Sequence, residues 1–209
     1  MSLPKKQLLS CPQCRESYEF TSYDSINTER DSAVSDVVSG RLFEAVCPHC
    51  SHKILVDYPL LFNDLKHNVI VSYVRPGELD EMVKASSAIS GLGCRLRIVT
   101  SRRALQEKVA VFDADLDDRV TELLKVIVIN QLQDQLRGRE VTGAFFHPDR
   151  ESPAIEFLMD DGSAYIGVDM TGYAEIRKTF AAELADREKD LLVDERWAVD
   201  FLSEYMRSE

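Results

Sequence analysis

Four of the five cysteines in the chain fall in two copies of one short pattern, CPQC at residues 11–14 and CPHC at residues 47–50. Two residues between paired cysteines is the loop length that lets both sulfurs reach one ion while backbone N–H groups turn toward them. Two such pairs complete a tetrahedral set of four sulfurs, and Cys11, Cys14, Cys47 and Cys50 meet that requirement. Proline at the second position of each pair, Pro12 and Pro48, fixes φ near the value the turn requires and gives up an N–H the turn does not need. Four thiolates saturate the ion and leave no position for water or substrate. The chemistry these residues point to is therefore structural, with one Zn²⁺ whose binding becomes folding free energy. An iron centre held by four cysteines has the same ligand set, so spacing does not separate the two metals. The other common use of CxxC, dithiol redox exchange, lacks its surrounding βαβ pattern here. His49 and His52 flank the second pair; they read as an exposed knuckle tip and the start of the next strand.

The remaining candidates for chemistry are thinner. Cys94, in SGLGCRL, has no cysteine or histidine near it in sequence and reads as a small buried hydrophobe. The acidic run DADLDD at 113–118 fails as a calcium loop, because Asp118 stands where the loop glycine belongs and Leu124 where the bidentate glutamate belongs. Acidic residues opening a helix suit its dipole and account for the run. FFHPDRES at 145–152 is the most enzyme-like cluster, since His147, Asp149 and Glu151 share a loop beside a hairpin. An enzyme built on the C-terminal part of the chain would need a pocket that gathers them. Arg95, Arg97, Arg102 and Arg103 form one basic cluster, read either as a contact for an acidic partner or phosphate or as a charge-protected strand edge. The nucleotide, esterase and metalloprotease signatures GxxxxGK, GxSxG and HExxH are absent.

The elements that must position the cysteines can be read on either side of them. ESYEFTSYDSI is a strand, and DSAVSDVVSG is a short helix with Asp31 or Ser32 as cap and Gly40 as stop. HKILVDY and HNVIVSYV are β-rich runs separated by PLLFNDLK, which extends the cysteine region by a small antiparallel sheet. RPGE at 75–78 breaks this pattern and a helix starts at Glu78, so the expected domain boundary lies there: a ribbon over 1–74 and a mixed α/β domain over 75–209. In the second part RLRIVTS is a strand, and 102–136 is two helices or one kinked helix broken at DADLDD. VIVI at 126–129 is apolar all round and is expected to be buried. AIEFLMDDGSAYIGVD is a hairpin turning at Asp161 and Gly162, and helices follow over about 173–187 and in RWAVDFLSEYM.

The 209 residues suit two domains, and the 44% hydrophobic, 29% charged composition is that of a globular protein. No apolar run approaches the length of a membrane span, and MSLPKKQLLSCPQC lacks the apolar core of a signal peptide, so a cytoplasmic location is expected. A reducing compartment in turn favours metal-binding over disulfide-bonded cysteines. The formal charge is −11, with 7 basic and 9 acidic residues in positions 1–74 and 18 and 27 in positions 75–209. Four thiolates around a divalent ion make the first part more negative still, which argues against a grip on nucleic acid phosphates.

CPQC, the YDSINTERD stretch after the first strand, SGRLFEAVCPHC leading into the second knuckle, and the aromatic-rich YPLLFND beyond it together resemble the bacterial CpXC domain over about residues 7–74. That family is described by its two CPxC motifs and is similar to zinc ribbons in general. The resemblance implies a ligand quartet of Cys11, Cys14, Cys47 and Cys50 and supplies no catalytic residues. Ribbons usually place glycine after the second cysteine of each knuckle, where a positive φ is wanted, whereas this chain has Arg15 and Ser51. A non-glycine residue there costs on the order of 1 kcal/mol. The expectation is thus an α+β protein whose N-terminal ribbon is held by one structural zinc and whose C-terminal domain offers a surface to another protein. The alternatives are an enzyme of unknown class in the C-terminal domain and a transcription-associated or nucleic-acid-associated ribbon.

Overall fold

The computed structural model describes residues 2–29, 32–89, 93–132, 135, 139–149 and 151–208. Its internal contacts divide the chain into two units, Met1–Val109 and Ala110–Glu209.

In the first unit, β1 (Leu3–Ser10) and β2 (Ser17–Asn27) form an antiparallel hairpin. Alternation along β2 sends Tyr18, Phe20 and Ser22 inward and leaves Glu19 and Thr21 outside. The short helix α1 (Ala33–Val38) follows, with Ser32 at its N-cap position and Gly40 at φ 75° beyond its end. Asp31, the other cap candidate, lies outside the described residues. A second, smaller hairpin joins β3 (Glu44–Val46) to β4 (Lys53–Leu55). The chain then returns to the first sheet as β5 (Leu60–Asp64) and β6 (Val69–Tyr73), passes through α2 (Leu79–Ile89), and adds β7 (Arg95–Val99). The resulting order is β1-β2-β5-β6-β7. The β2–β5 and β6–β7 pairs are parallel and β5–β6 is antiparallel, so the sheet is larger than the sequence suggests and mixed in direction. PLLFND, read as a separator, is the central strand β5. The core gathers Ile26, Val37, Phe43, Phe62 and Val71, all no more than 1% exposed. Phe43 packs on Tyr58 at 4.9 Å between ring centroids, and the Tyr58 hydroxyl donates to the Leu42 carbonyl at 2.7 Å.

The expected boundary near residue 75 differs from this division. Pro76–Glu78 does break the strand, as a single turn of 3₁₀ helix, but α2 is a crossover that brings β7 back alongside β6 in register Val69↔Arg95 to Tyr73↔Val99. The division falls instead within α3 (Arg102–Asp113), whose first turn is capped by the Ser101 hydroxyl accepting from the Ala104 N–H at 3.1 Å.

In the second unit, α4 (Asp118–Gln131) follows the break at DADLDD, where Asp115 takes φ 57°. Asp117 caps α4 and also pairs with Arg119 at 2.6 Å, while Arg119 Nη1 donates to the Leu184 carbonyl at 2.6 Å. Three antiparallel strands, β8 (Val141–His147), β9 (Ala154–Met159) and β10 (Gly162–Gly167), stand in the order β10-β9-β8. The β9–β10 hairpin is as expected, but the Met159↔Gly162 pairing makes Asp160 and Asp161 its loop, and Gly162, at φ 137°, opens β10. FFH, read as part of a loop, belongs to β8. The C-terminal helices are α5 (Met170–Thr179), α6 (Ala181–Asp186) and α7 (Glu195–Ser208), with the expected helix over 173–187 interrupted at Phe180. Val120, Leu123, Phe146, Ile155, Phe157, Ala198 and Phe201 make the core. Trp197 stacks on Phe201 at 5.2 Å and Tyr205 meets Phe180 edge-on at 4.8 Å, so the apolar face expected of the last helix is the one it buries. Among the described residues no helix is long and apolar enough to cross a membrane.

Candidate metal centre

Each CPxC sequence is the loop of a hairpin. β1 ends at Ser10 and β2 begins at Ser17, so the first motif spans their connection; β3 ends at Val46 and β4 begins at Lys53, so the second does the same. The two loops are built alike. The N–H of Cys11 donates to the Glu16 carbonyl and the N–H of Arg15 to the Cys11 carbonyl, each at 2.9 Å; Cys47 and His52, and Ser51 and Cys47, repeat both bonds at 2.9 Å. Arg15 and Ser51 take φ 65° and 61°, the left-handed conformation expected of the residue after the second cysteine, here adopted without glycine. A hairpin supplies the two fixed ends, and the left-handed residue closes the loop so that both thiols of a pair point to one side.

The two loops face each other. Cys11 Sγ lies 3.6 Å from Cys50 Sγ and Cys14 Sγ 3.6 Å from Cys47 Sγ, and all four sulfurs fall within 4.8 Å of one another. A tetrahedral zinc site with bonds of about 2.3 Å has sulfur–sulfur edges of about 3.8 Å, so the spacing fits a single ion. Both of these 3.6 Å contacts run between the motifs, whereas a dithiol exchange site pairs the cysteines within one motif. Cys11 and Cys47 are 1% exposed and Cys50 is exposed, so the cage sits at the rim of the unit.

The electrostatics of the thiols point the same way. The Cys11 thiol is drawn down to about 6, first by the Cys14 backbone N–H. At Cys14 the Glu16 backbone N–H pulls downward, but burial and the sulfurs of Cys50, Cys47 and Cys11 outweigh it and push the thiol up to about 12. Cys50 is also raised: the His52 N–H pulls it down, and burial and Cys11 prevail. One proton leaves easily and the next are held, because thiolates this close repel. A divalent cation removes the conflict by neutralising the charge it induces.

One residue beside the cage was not legible as a site residue. Tyr18 is 7% exposed and its hydroxyl is buried without a hydrogen-bond partner. Its acidity is shifted upward, first by burial and then by Cys47, Cys11, Cys50 and Cys14. The alternation in SYEFTS marks Tyr18 as inward-facing, but nothing in the sequence places it beside the second knuckle.

The other candidates are dispersed. His147 Nε2 meets Glu156 Oε2 of β9 at 3.0 Å, with the Tyr165 ring of β10 at 5.6 Å. Asp149 instead accepts the backbone N–H groups of Glu151 and Ser152 at 2.8 and 3.3 Å and shapes its own loop. His147, Asp149 and Glu151, which the enzyme alternative would need in one pocket, are therefore not gathered into one site. Within the basic cluster, Arg97 is 1% exposed and donates to the Leu96 carbonyl, and Arg102 lies 3.6 Å from Asp57 and over the Phe43 ring. Cys94 is half-buried. In the second unit, a groove of about 550 Å³ runs between α4 and the β10–α5 connection, floored by Leu124, Ile127, Val128, Ile166 and Val168. Its charged lining residues are Asp169 and Glu175. VIVI, expected to be buried, supplies Ile127 and Val128 to this open groove, and only Val126 is fully enclosed.

Fold and site together define a protein with paired cysteine knuckles on two hairpins, close enough to hold a metal ion. The model of the CpXC protein family matches residues 9–125, more than half of the chain, and the chain belongs to that family. The match extends past the expected 7–74 to include α2, β7, α3 and the start of α4. No curated protein and no solved structure matches the chain.

Proposed function

We propose that this chain is a zinc-stabilised protein-interaction module of the reducing cytoplasm. The observation that carries the reading is the closed cage. Cys11, Cys14, Cys47 and Cys50 present four sulfurs at the spacing of one tetrahedral ion and leave no open coordination position for substrate. Zinc is favoured because it prefers a tetrahedral sulfur shell and needs no redox partner. In this role the ion ties the two hairpins together and does no chemistry.

The interaction surface we assign is the groove of the second unit. Its apolar floor is open, and among the described residues its charged rim is Asp169 and Glu175, with no cationic side chain lining it. That combination suits a partner segment with apolar side chains flanked by lysine or arginine. The formal charge of −11 and the dispersal of the arginine cluster weigh against nucleic acid.

Metal content per chain, measured by mass spectrometry on protein purified without chelator and read beside a free-thiol count, tests the cage. One zinc with Cys94 as the sole readily reactive thiol is expected; no metal, with disulfides within each CPxC pair, would overturn it. For the groove, amphipathic Leu/Lys and Leu/Glu helical peptides with identical apolar faces serve as probes, followed by amide shifts of Thr171 and Gly172. Saturable binding of the Leu/Lys peptide alone, abolished by Gly172→Leu, is expected. Equal binding of both peptides, no binding, or binding indifferent to Gly172→Leu would sink the assignment.

A further inference from the structure

Buried tyrosines in this protein have partners for their hydroxyls. Tyr58 donates to the Leu42 carbonyl, Tyr73 to Asp57, and the Tyr173 oxygen accepts the Asp117 N–H at 2.7 Å. Tyr18 is the exception, sealed from solvent with nothing to bond. An unpaired buried hydroxyl is a standing cost that native structures rarely carry without reason. Its position suggests the reason. Ser10↔Ser17 closes the β1–β2 hairpin at the base of the first knuckle, and Leu9↔Tyr18 is the next rung, so Tyr18 faces inward one rung from the loop that carries Cys11 and Cys14. All four cysteine sulfurs act on the hydroxyl electrostatically.

We propose that Tyr18 is a positioning residue for the metal centre, its hydroxyl donating a hydrogen bond to a cysteine sulfur once that sulfur carries the charge of a metal-bound thiolate. A phenol is a good donor, a neutral thiol is a poor acceptor, and a thiolate is a strong one. Loading the cage makes its sulfurs strong acceptors and so offers the hydroxyl a partner. Hydrogen bonds to ligand atoms orient the ligands and raise metal affinity, and losing one typically costs 10–100-fold. Tyr18 thereby links occupancy of the cage to the packing of β2, which continues inward as Phe20 and Ser22. This inference rests on the metal-binding reading above.

The test is Tyr18→Phe, which keeps the ring and deletes the donor. A hydroxyl that stays unpaired in the loaded protein and one that bonds a thiolate make opposite predictions. In the first case the variant sheds a burden, with stability unchanged or raised and metal affinity unmoved. In the second, Co²⁺ affinity, measured by competition with a chelator, falls at least about ten-fold, and the sulfur-to-cobalt charge-transfer band moves to longer wavelength because the sulfur lone pair is no longer held down. Tyr58→Phe is the control: it deletes a bonded hydroxyl of the same unit and should lower stability while leaving the cobalt spectrum and affinity in place. Equal affinity and an unmoved band in Tyr18→Phe would overturn the proposal with the metal reading intact. Wild-type protein that takes up no Co²⁺ and no Zn²⁺ would overturn the metal reading, and this proposal with it.

Discussion

Stripping the metal should unfold the first unit selectively. An ion held by the four sulfurs would tie Cys14 to Cys47 across the 32 residues between them. Applying the loop-entropy relation used for covalent cross-links, closure of a loop that long contributes about 4 kcal/mol by restricting the unfolded chain. That is a lower bound, because the metal–thiolate bonds add to it. Against total stabilities of about 5–15 kcal/mol, such a loss leaves a unit of this size marginal. It corresponds to a fall in Tm of roughly 15–30 °C. Residues 110–209 contain none of the four clamp cysteines and bury their own core around Phe146, Ile155, Phe157 and Phe201. Scanning calorimetry of the full chain, with and without a chelator strong enough to empty a four-thiolate site, should therefore show two transitions of which one moves. Metal analysis of the stripped sample confirms removal. If a verified metal-free sample melts within about 5 °C of the loaded one, or both transitions fall equally, the cross-link is not what stabilises the ribbon.

Two further perturbations follow from backbone and charge. Arg15→Gly and Ser51→Gly relieve left-handed residues at φ 65° and 61°; each should stabilise the metal-loaded protein by about 0.5–1 kcal/mol after the added freedom of the unfolded chain is counted, and chemical denaturation showing a loss would contradict the assigned knuckle geometry. At Asp117, burial pushes the carboxyl up, but the Arg119 hydrogen bond and charge outweigh it and hold the group below its usual range. The stabilisation is then fully present above the ordinary carboxylate value of about 4 and is lost as pH falls through the lower folded-state value. Asp117→Asn, which keeps the cap and removes the charge, should cost about 1.5–3 kcal/mol at pH 7, and its denaturation curve should converge on wild type in acid; a penalty that persists undiminished at the lowest accessible pH would refute the account.

The knuckles were legible because their geometry is local. Two residues between cysteines, a proline and one left-handed residue determine the loop whatever surrounds it, and the φ values at Arg15 and Ser51 follow the expectation. The same holds for α1 with its stop at Gly40 and for the β9–β10 hairpin. The strands that were missed depend on partners far along the chain. LPKKQLLS is largely exposed and becomes β1 only because β2 lies beside it. Pro59 makes PLLFND look like a linker, yet β2 and β6 hold Leu60–Asp64 between them. The turn at Pro76–Glu78 is a true break in local structure, but the domain does not end there, because β7 rejoins β6 through a crossover that turn chemistry cannot announce. Arg97 reads as a surface charge by alternation and is buried at 1% exposure because β7 is covered. His147 suggests loop neighbours by sequence, whereas its partner Glu156 arrives by strand pairing.

The second knuckle hangs inside the connection between β2 and β5, two strands that pair in parallel. A parallel pair cannot zip from a tight turn; it must wait until the whole intervening segment has been drawn in, and that search sets the pace of folding. An ion captured early between the knuckles divides the search in two, since Cys50 then arrives beside the base of β2 with only a short stretch left before Leu60. On this topology a bound metal would act as a nucleus as well as a rivet, hastening the formation of the sheet in addition to delaying its loss.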